Sequence, residues 1–365
     1  MIEDEERLRR FLRELDRVQP GRDLEQRALG VHEPRRGRRR RTHFALQLAA
    51  VLGIVLLALA AVSTMLLIPR SRPATPAAPG KIAATYPVGV GGLATGSLSV
   101  DQDGVWIPNR GAGTVVHIDA VTGATRTLTL GGDVTSVLES GDVLWVGRLA
   151  PPKQDRGEIL KVDPNTGGVL ETIPVPSSPA RLYLTGKSLL VSTGGYHSLC
   201  PCNEIYRLDV ETGKVVATIP VTLSEDIAVT PSGLWVAGAG AIVRIDPETN
   251  QVIAKSKVLG NAVGVAASGG WIWATQTPEA GVVRIDPSSN TVVATVQLKN
   301  SPLHLIPVGG SLWVTSSAGM YRLNATTGSI EGLVPIPDGC DAAAASGASI
   351  WCASRNATYR IQPRS

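Results

Sequence analysis

Three ionisable side chains, Arg181, Asp226 and His304, stand at one position of an internal repeat, nine residues before a column held mostly by tryptophan. A guanidinium, a carboxylate and an imidazole gathered there can form an ion pair beside a satisfied histidine, or a small polar binding pocket. Ser97 and Ser136 share the position and add hydroxyl groups. Gly264 and Ala342 complete it without chemistry of their own. Arg181 and Asp226 fall in adjacent repeats and are expected to pair, with His304 two repeats beyond Asp226. The next column, Leu98, Val137, Leu182, Ile227, Val265, Leu305 and Ala343, is apolar throughout and is expected in the core.

The chain has 4 cysteines, Cys200, Cys202, Cys340 and Cys352. Local pairing, 200 with 202 and 340 with 352, is the simplest disulfide arrangement, although a bridge across one residue is strained. His197 with Cys200 and Cys202 offers only three ligands for a metal, so no metal site is assigned. No cofactor is expected, because no nucleophile elbow, zinc-protease, phosphate-loop or paired-carboxylate signature is present.

The elements that must position these residues are short strands. The column reads Trp106, Trp145, Leu190, Trp235, Trp273, Trp313 and Trp351, with spacings of 39, 45, 45, 38, 40 and 38 residues. A four-stranded propeller blade needs about 40 residues. Turn sequences such as Asp119-Ala-Val-Thr-Gly, Asp209-Val-Glu-Thr-Gly and Asp286-Pro-Ser-Ser-Asn recur at one place in each repeat. Their Asp accepts local backbone hydrogen bonds and the closing Gly or Asn tolerates positive φ, so they read as hairpin turns rather than metal loops. The seventh repeat ends early, whereas residues 80–88 align without gaps to residues 213–221. The predicted fold is an all-β, seven-bladed β-propeller over 81–365, closed by that N-terminal strand.

Ahead of the propeller, residues 44–68 carry no charge. Twenty-five helical residues span ~37 Å, enough for a ~30 Å hydrocarbon core. A transmembrane helix is therefore expected at 43–68. Six arginines between Arg35 and Arg41 precede it and only Arg70 and Arg72 follow closely, which puts residues 1–42 in the cytoplasm and the propeller outside the cell membrane. Leu8, Phe11, Leu12, Leu15 and Val18 give the tail a short amphipathic helix. Residues 69–80, rich in proline, form a stalk.

The formal charge of +4 is unevenly placed. Residues 1–42 hold 13 Arg against 9 acidic residues, whereas residues 81–365 hold 20 basic and 22 acidic ones. The folded domain has no basic excess, which argues against a nucleic-acid partner.

Val282-Val283-Arg284-Ile285-Asp286 followed by Thr291-Val292-Val293-Ala294-Thr295-Val296 resembles the repeat of YVTN-type β-propellers, over all seven repeats but not the first 79 residues. The Asp209–Lys214 segment is similar to quinoprotein propellers, without their eighth blade. A more distant likeness is to seven-bladed, metal-dependent enzymes of the virginiamycin B lyase type; no catalytic residue is carried over from them. The resemblance implies the fold more than an activity.

In a propeller the first strand of each blade, strand a, lines the channel. The d–a and b–c loops share one face, and the a–b and c–d turns share the other. Arg181, Asp226 and His304 are thus expected at a channel mouth on the distal face, with the long loops 148–157 and 194–203. The expected function is a membrane-tethered extracytoplasmic binding, scaffold or sensor propeller. Its ligand, a protein, glycan or small molecule, would sit on that distal face. The alternative is an extracytoplasmic lyase- or hydrolase-type enzyme with its site at the same mouth.

Overall fold

The structure is a computed structural model that describes residues 78–90, 98–150, 156–193, 204–222, 225–347 and 349–364. The described residues all fall in one compact unit, Thr75–Ser365. The expected tail, membrane helix and most of the stalk lie outside the described residues, as do Ser97, Cys200 and Cys202. Among the described residues no helix is long and apolar enough to cross a membrane.

This unit is a seven-bladed β-propeller of seven four-stranded antiparallel sheets. Blade 4 shows the pattern, with strands Asp226–Thr230, Gly233–Ala237, Ala239–Ile245 and Val252–Asn261 joined in sequence order. Only the last blade departs from it. Gly80–Tyr86 supplies its outermost strand, pairing with Thr358–Pro363 from Gly80↔Pro363 to Tyr86↔Thr358. The ring is therefore closed by the N-terminal strand, so no blade is left with an unpaired third strand. Ser99–Val100 of blade 1 packs on Ala342–Ser346 of blade 7, which completes the inner circle.

Each core lies between neighbouring blades. Trp351, Ala342 and Ala353 of blade 7 pack with Val105, Ile107 and Ile118 of blade 1. Trp106, Trp235, Trp273, Trp313 and Trp351 are each at most 2% exposed. Across the ladder from this column stands a basic one. Arg244 pairs with Trp235, Arg284 with Trp273, Arg322 with Trp313 and Arg360 with Trp351. Their guanidinium carbons sit 5.2, 5.9, 5.8 and 5.7 Å from the indole centroids, within cation–π range.

These arginines also tie blade to blade. Arg244 Nη1 donates to the Pro287 carbonyl at 3.0 Å, and Arg284 Nη1 to that of Thr326 at 2.7 Å, each in the c–d turn of the next blade. In blade 1 the basic position is His117, and Arg126 takes over the reach by donating to Asn165 O at 2.9 Å.

The Asp-containing segments are turns, as expected. Asp119 Oδ1 accepts from Val121 N at 2.9 Å and Thr122 N at 2.7 Å, and Gly123 closes the turn at φ 73°. The bonds from Thr122 hold the Asp119 carboxyl below its ordinary pKa. In the last blade a disulfide joins Cys340 to Cys352 with a Cα–Cα distance of 5.7 Å, as local pairing predicts.

Candidate functional site in the central channel

The position nine residues before the tryptophan column opens strand a at Arg181, Asp226 and Ala342, immediately precedes it at Gly264, and lies within it at Ser136 and His304. Arg181 pairs with Ser192, Asp226 with Ala237, Ser136 with Gly147 and Ala342 with Ala353. Gly264 and His304 keep the same place through side chains, since Thr275 Oγ1 accepts from Gly264 N at 2.9 Å and Thr315 Oγ1 from His304 N at 3.0 Å. Gly264 is required by space, because a Cβ there would lie 2.7 Å from Leu303 O.

Arg181 brings the predicted trio together. Its Nη1 lies 3.6 Å from Asp226 Oδ1 in the adjacent blade. Its Nη2 reaches His304 of blade 6, 2.8 Å from Nδ1 and 3.0 Å from Nε2. Tyr183, which the sequence reading missed, donates its hydroxyl to Asp226 Oδ1 at 2.5 Å and accepts from Ile227 N at 3.0 Å. Asp226 Oδ2 accepts from Val265 N at 3.1 Å. The network thereby pins blades 3, 4, 5 and 6 to one another.

Electrostatics fix the protonation states. Burial and the charge of Arg181 push the His304 pKa well below its ordinary 6.5, so the imidazole is neutral. Burial opposes the charge on Arg181, but Asp226 holds its pKa above the ordinary value. Burial, then Asp226, raise the Tyr183 phenol well above 10.0, so it remains a donor.

The trio differs from the sequence reading in one respect. Among the described residues it spans the channel instead of rimming an open mouth. Along strand a of blade 4 the exposure is 7% at Asp226, 4% at Ile227, 8% at Ala228 and 43% at Val229. Leu184, Ala267 and Pro307, at the same level as Val229, are also exposed. The long arginine side chain spans the axis and fills the end where strand a begins. The open end is therefore on the face of the a–b and c–d turns.

Between the two ends lies a cavity of about 330 Å³. Its floor is Arg181, Tyr183, Asp226 and His304; its walls include Ile227, Val229, Val265, Leu305, Ile306 and Pro307. Ser136 is fully buried, does not line the cavity, and its hydroxyl has no hydrogen-bond partner.

A wider cavity of about 830 Å³ lies among blades 7, 1 and 2, beside Asp101, Trp106, His117, Arg126 and Glu139. Its central carboxylate is already committed. Asp101 accepts from Asp103 N at 2.9 Å and Trp106 Nε1 at 2.8 Å, and contacts His117 Nε2 at 3.1 Å. Arg126, on the outermost strand of the blade, lies over the Trp106 ring at 5.2 Å, so blade 1 also carries an arginine on its tryptophan. Among the described residues, no three His, Cys, Asp or Glu side chains gather closely enough to hold a metal ion.

No protein-family profile and no curated protein matches the chain. Solved structures do. A chain of the mitotic checkpoint complex is 14% identical with a TM-score of 0.67, covering 78% of this chain and 92% of its own. Virginiamycin B lyase from Staphylococcus aureus is 17% identical with a TM-score of 0.62, covering 77% and 99%. BamB from Moraxella catarrhalis is 18% identical with a TM-score of 0.55, covering 73% and 85%. At these identities the likeness is one of fold: the chain shares the β-propeller architecture of these three proteins.

Proposed function

We propose that the chain is a membrane-tethered, extracytoplasmic binding propeller whose central channel is a ligand pocket. The observation that carries the binding role is the cavity of about 330 Å³ with apolar walls and a polar floor at the axis of the ring. Largely apolar pockets with a few convergent polar groups are the usual form of small-molecule sites. The tether reading rests on the uncharged run of 44–68 and on the arginines before it. It assigns 1–42 to a cytoplasmic tail, 43–68 to the membrane helix, 69–80 to the stalk and 81–365 to the propeller. A larger partner, protein or glycan, is proposed for the face of the d–a and b–c loops. That face lies opposite the one carrying Pro79 and Arg364, where Arg364 N donates to Pro79 O at 2.9 Å.

Topology is tested by single cysteines in the full chain, labelled from outside intact cells with a membrane-impermeant maleimide. Arg72→Cys is expected to label and Arg22→Cys to stay protected. Labelling at Arg22→Cys would reverse the orientation and remove the extracytoplasmic reading.

A further inference from the structure

Resting on the channel as the binding site, we infer that its ligand is an uncharged, predominantly apolar small molecule with one hydrogen-bonding group, entering from the face of the a–b and c–d turns. The charges of the floor cancel within it. Arg181 faces Asp226, and the imidazole and phenol beside them are neutral. Among the residues that line the cavity an ionic head group would meet no counter-charge left over, since Glu225, which also acts on Arg181, lies outside the lining, and leaving water for such a pocket without one is strongly unfavourable.

A single neutral polar group is a different matter. A guanidinium has five N–H donors. Arg181 directs Nη2 at His304 and Nη1 at Asp226, which leaves donor capacity at the floor. Asp226 Oδ2 accepts one hydrogen bond, from Val265 N, and a carboxylate oxygen can accept a second. A hydroxyl or carbonyl at the tip of a ligand suits this floor.

The walls set the rest. Alanine, valine, isoleucine, leucine and proline residues line the cavity above the floor, with Val229, Ala267 and Pro307 the exposed ones among them. Its volume of about 330 Å³ is roughly that of ten water molecules in the liquid, so the ligand is small. The route in is fixed by exposure: Val229, at 43%, stands at the open end, whereas Arg181 and Asp226, at 9% and 7%, close the other.

The test uses the full chain in lipid nanodiscs with labelled Ile, Leu and Val methyl groups. Benzyl alcohol, benzoate and benzylammonium share one shape and differ in charge. Benzyl alcohol is expected to shift the methyl signals of Ile227, Val229 and Ile306, with an affinity at least tenfold above both ions. Val229→Trp, at the rim, is expected to abolish those shifts; Ala267→Phe serves as a second block should the first variant misfold. If either ion bound as tightly as the alcohol, the charge class would be wrong and the channel site would stand. If none of the three moved the channel methyls, or if the blocked variants responded like the parent, the channel reading itself would fall.

Discussion

Arg360 Nη1 in blade 7 donates to the carbonyl oxygen of Ala120 in blade 1. Where the ring begins and ends in sequence, one side chain thus repeats across the seam the bond that Arg244 and Arg284 make between consecutive blades. Arg360 also donates from Nε to Ser349 Oγ at 3.1 Å and lies over Trp351. Replacing it with methionine keeps the stem and removes the donors. We expect Arg360→Met to lower unfolding stability by about 2 kcal/mol in urea, whereas Lys187→Met, in an exposed pair with Glu211, should change it by no more than about 0.5 kcal/mol.

The closing strand gives a second expectation. Deleting residues 81–88 removes the partner of Thr358–Pro363 and uncovers its edge. The thermal midpoint of the shortened chain should fall and aggregation should rise. An unchanged midpoint would show that the last blade does not need this strand.

Within the channel, Arg181→Met should be costly, because it leaves the Asp226 carboxylate buried without its cation. A loss of about 3 kcal/mol is expected, and Arg181→Met with Asp226→Asn should cost less than the single change. Chemical denaturation of the three proteins settles it; strict additivity would mean that the two groups do not interact.

The histidine makes stability depend on pH. Unfolded, His304 titrates near 6.5; folded, it resists protonation because of burial and Arg181. Below pH 6.5 the unfolded chain takes up a proton that the folded one refuses, so stability is lost as pH falls, by at most about 1.4 kcal/mol per pH unit. Glu225 and Glu139 act the other way. Burial raises both above 4.5 in the folded state, so they add stability as pH falls. Comparing the parent with His304→Gln isolates the histidine: the variant should show a shallower decline between pH 6.5 and 5.5. Equal slopes would mean that His304 is not held neutral.

Much of this was legible in the residues. The tryptophan column gave seven blades, and the match of 80–88 to 213–221 gave the closure, because both reflect local strand chemistry repeated at fixed spacing. That Arg181, Asp226 and His304 share one level of strand a was also readable, since the fixed distance to the tryptophan column sets the register, although strand a of blade 6 begins two residues before His304. Tyr183 was overlooked although it carries a hydroxyl where other blades mostly place apolar residues such as Leu138, Ala228 and Ile306. The direction of the channel was not readable. It depends on how far one arginine side chain reaches across the axis to a blade 123 residues away. The inter-blade arginine bonds were hidden for the same reason, since their acceptors are carbonyls of the next blade.

The most direct test of the channel as a ligand pocket is the reaction of N-ethylmaleimide with Val229→Cys, measured with and without benzyl alcohol. Lys187→Cys, on the same face but outside the cavity, is the reference, and both are made with Cys200 and Cys202 replaced by serine. Benzyl alcohol should slow the reaction at Val229→Cys at least several-fold and leave Lys187→Cys unchanged. Equal rates with and without the alcohol at both positions would contradict a ligand pocket in the channel.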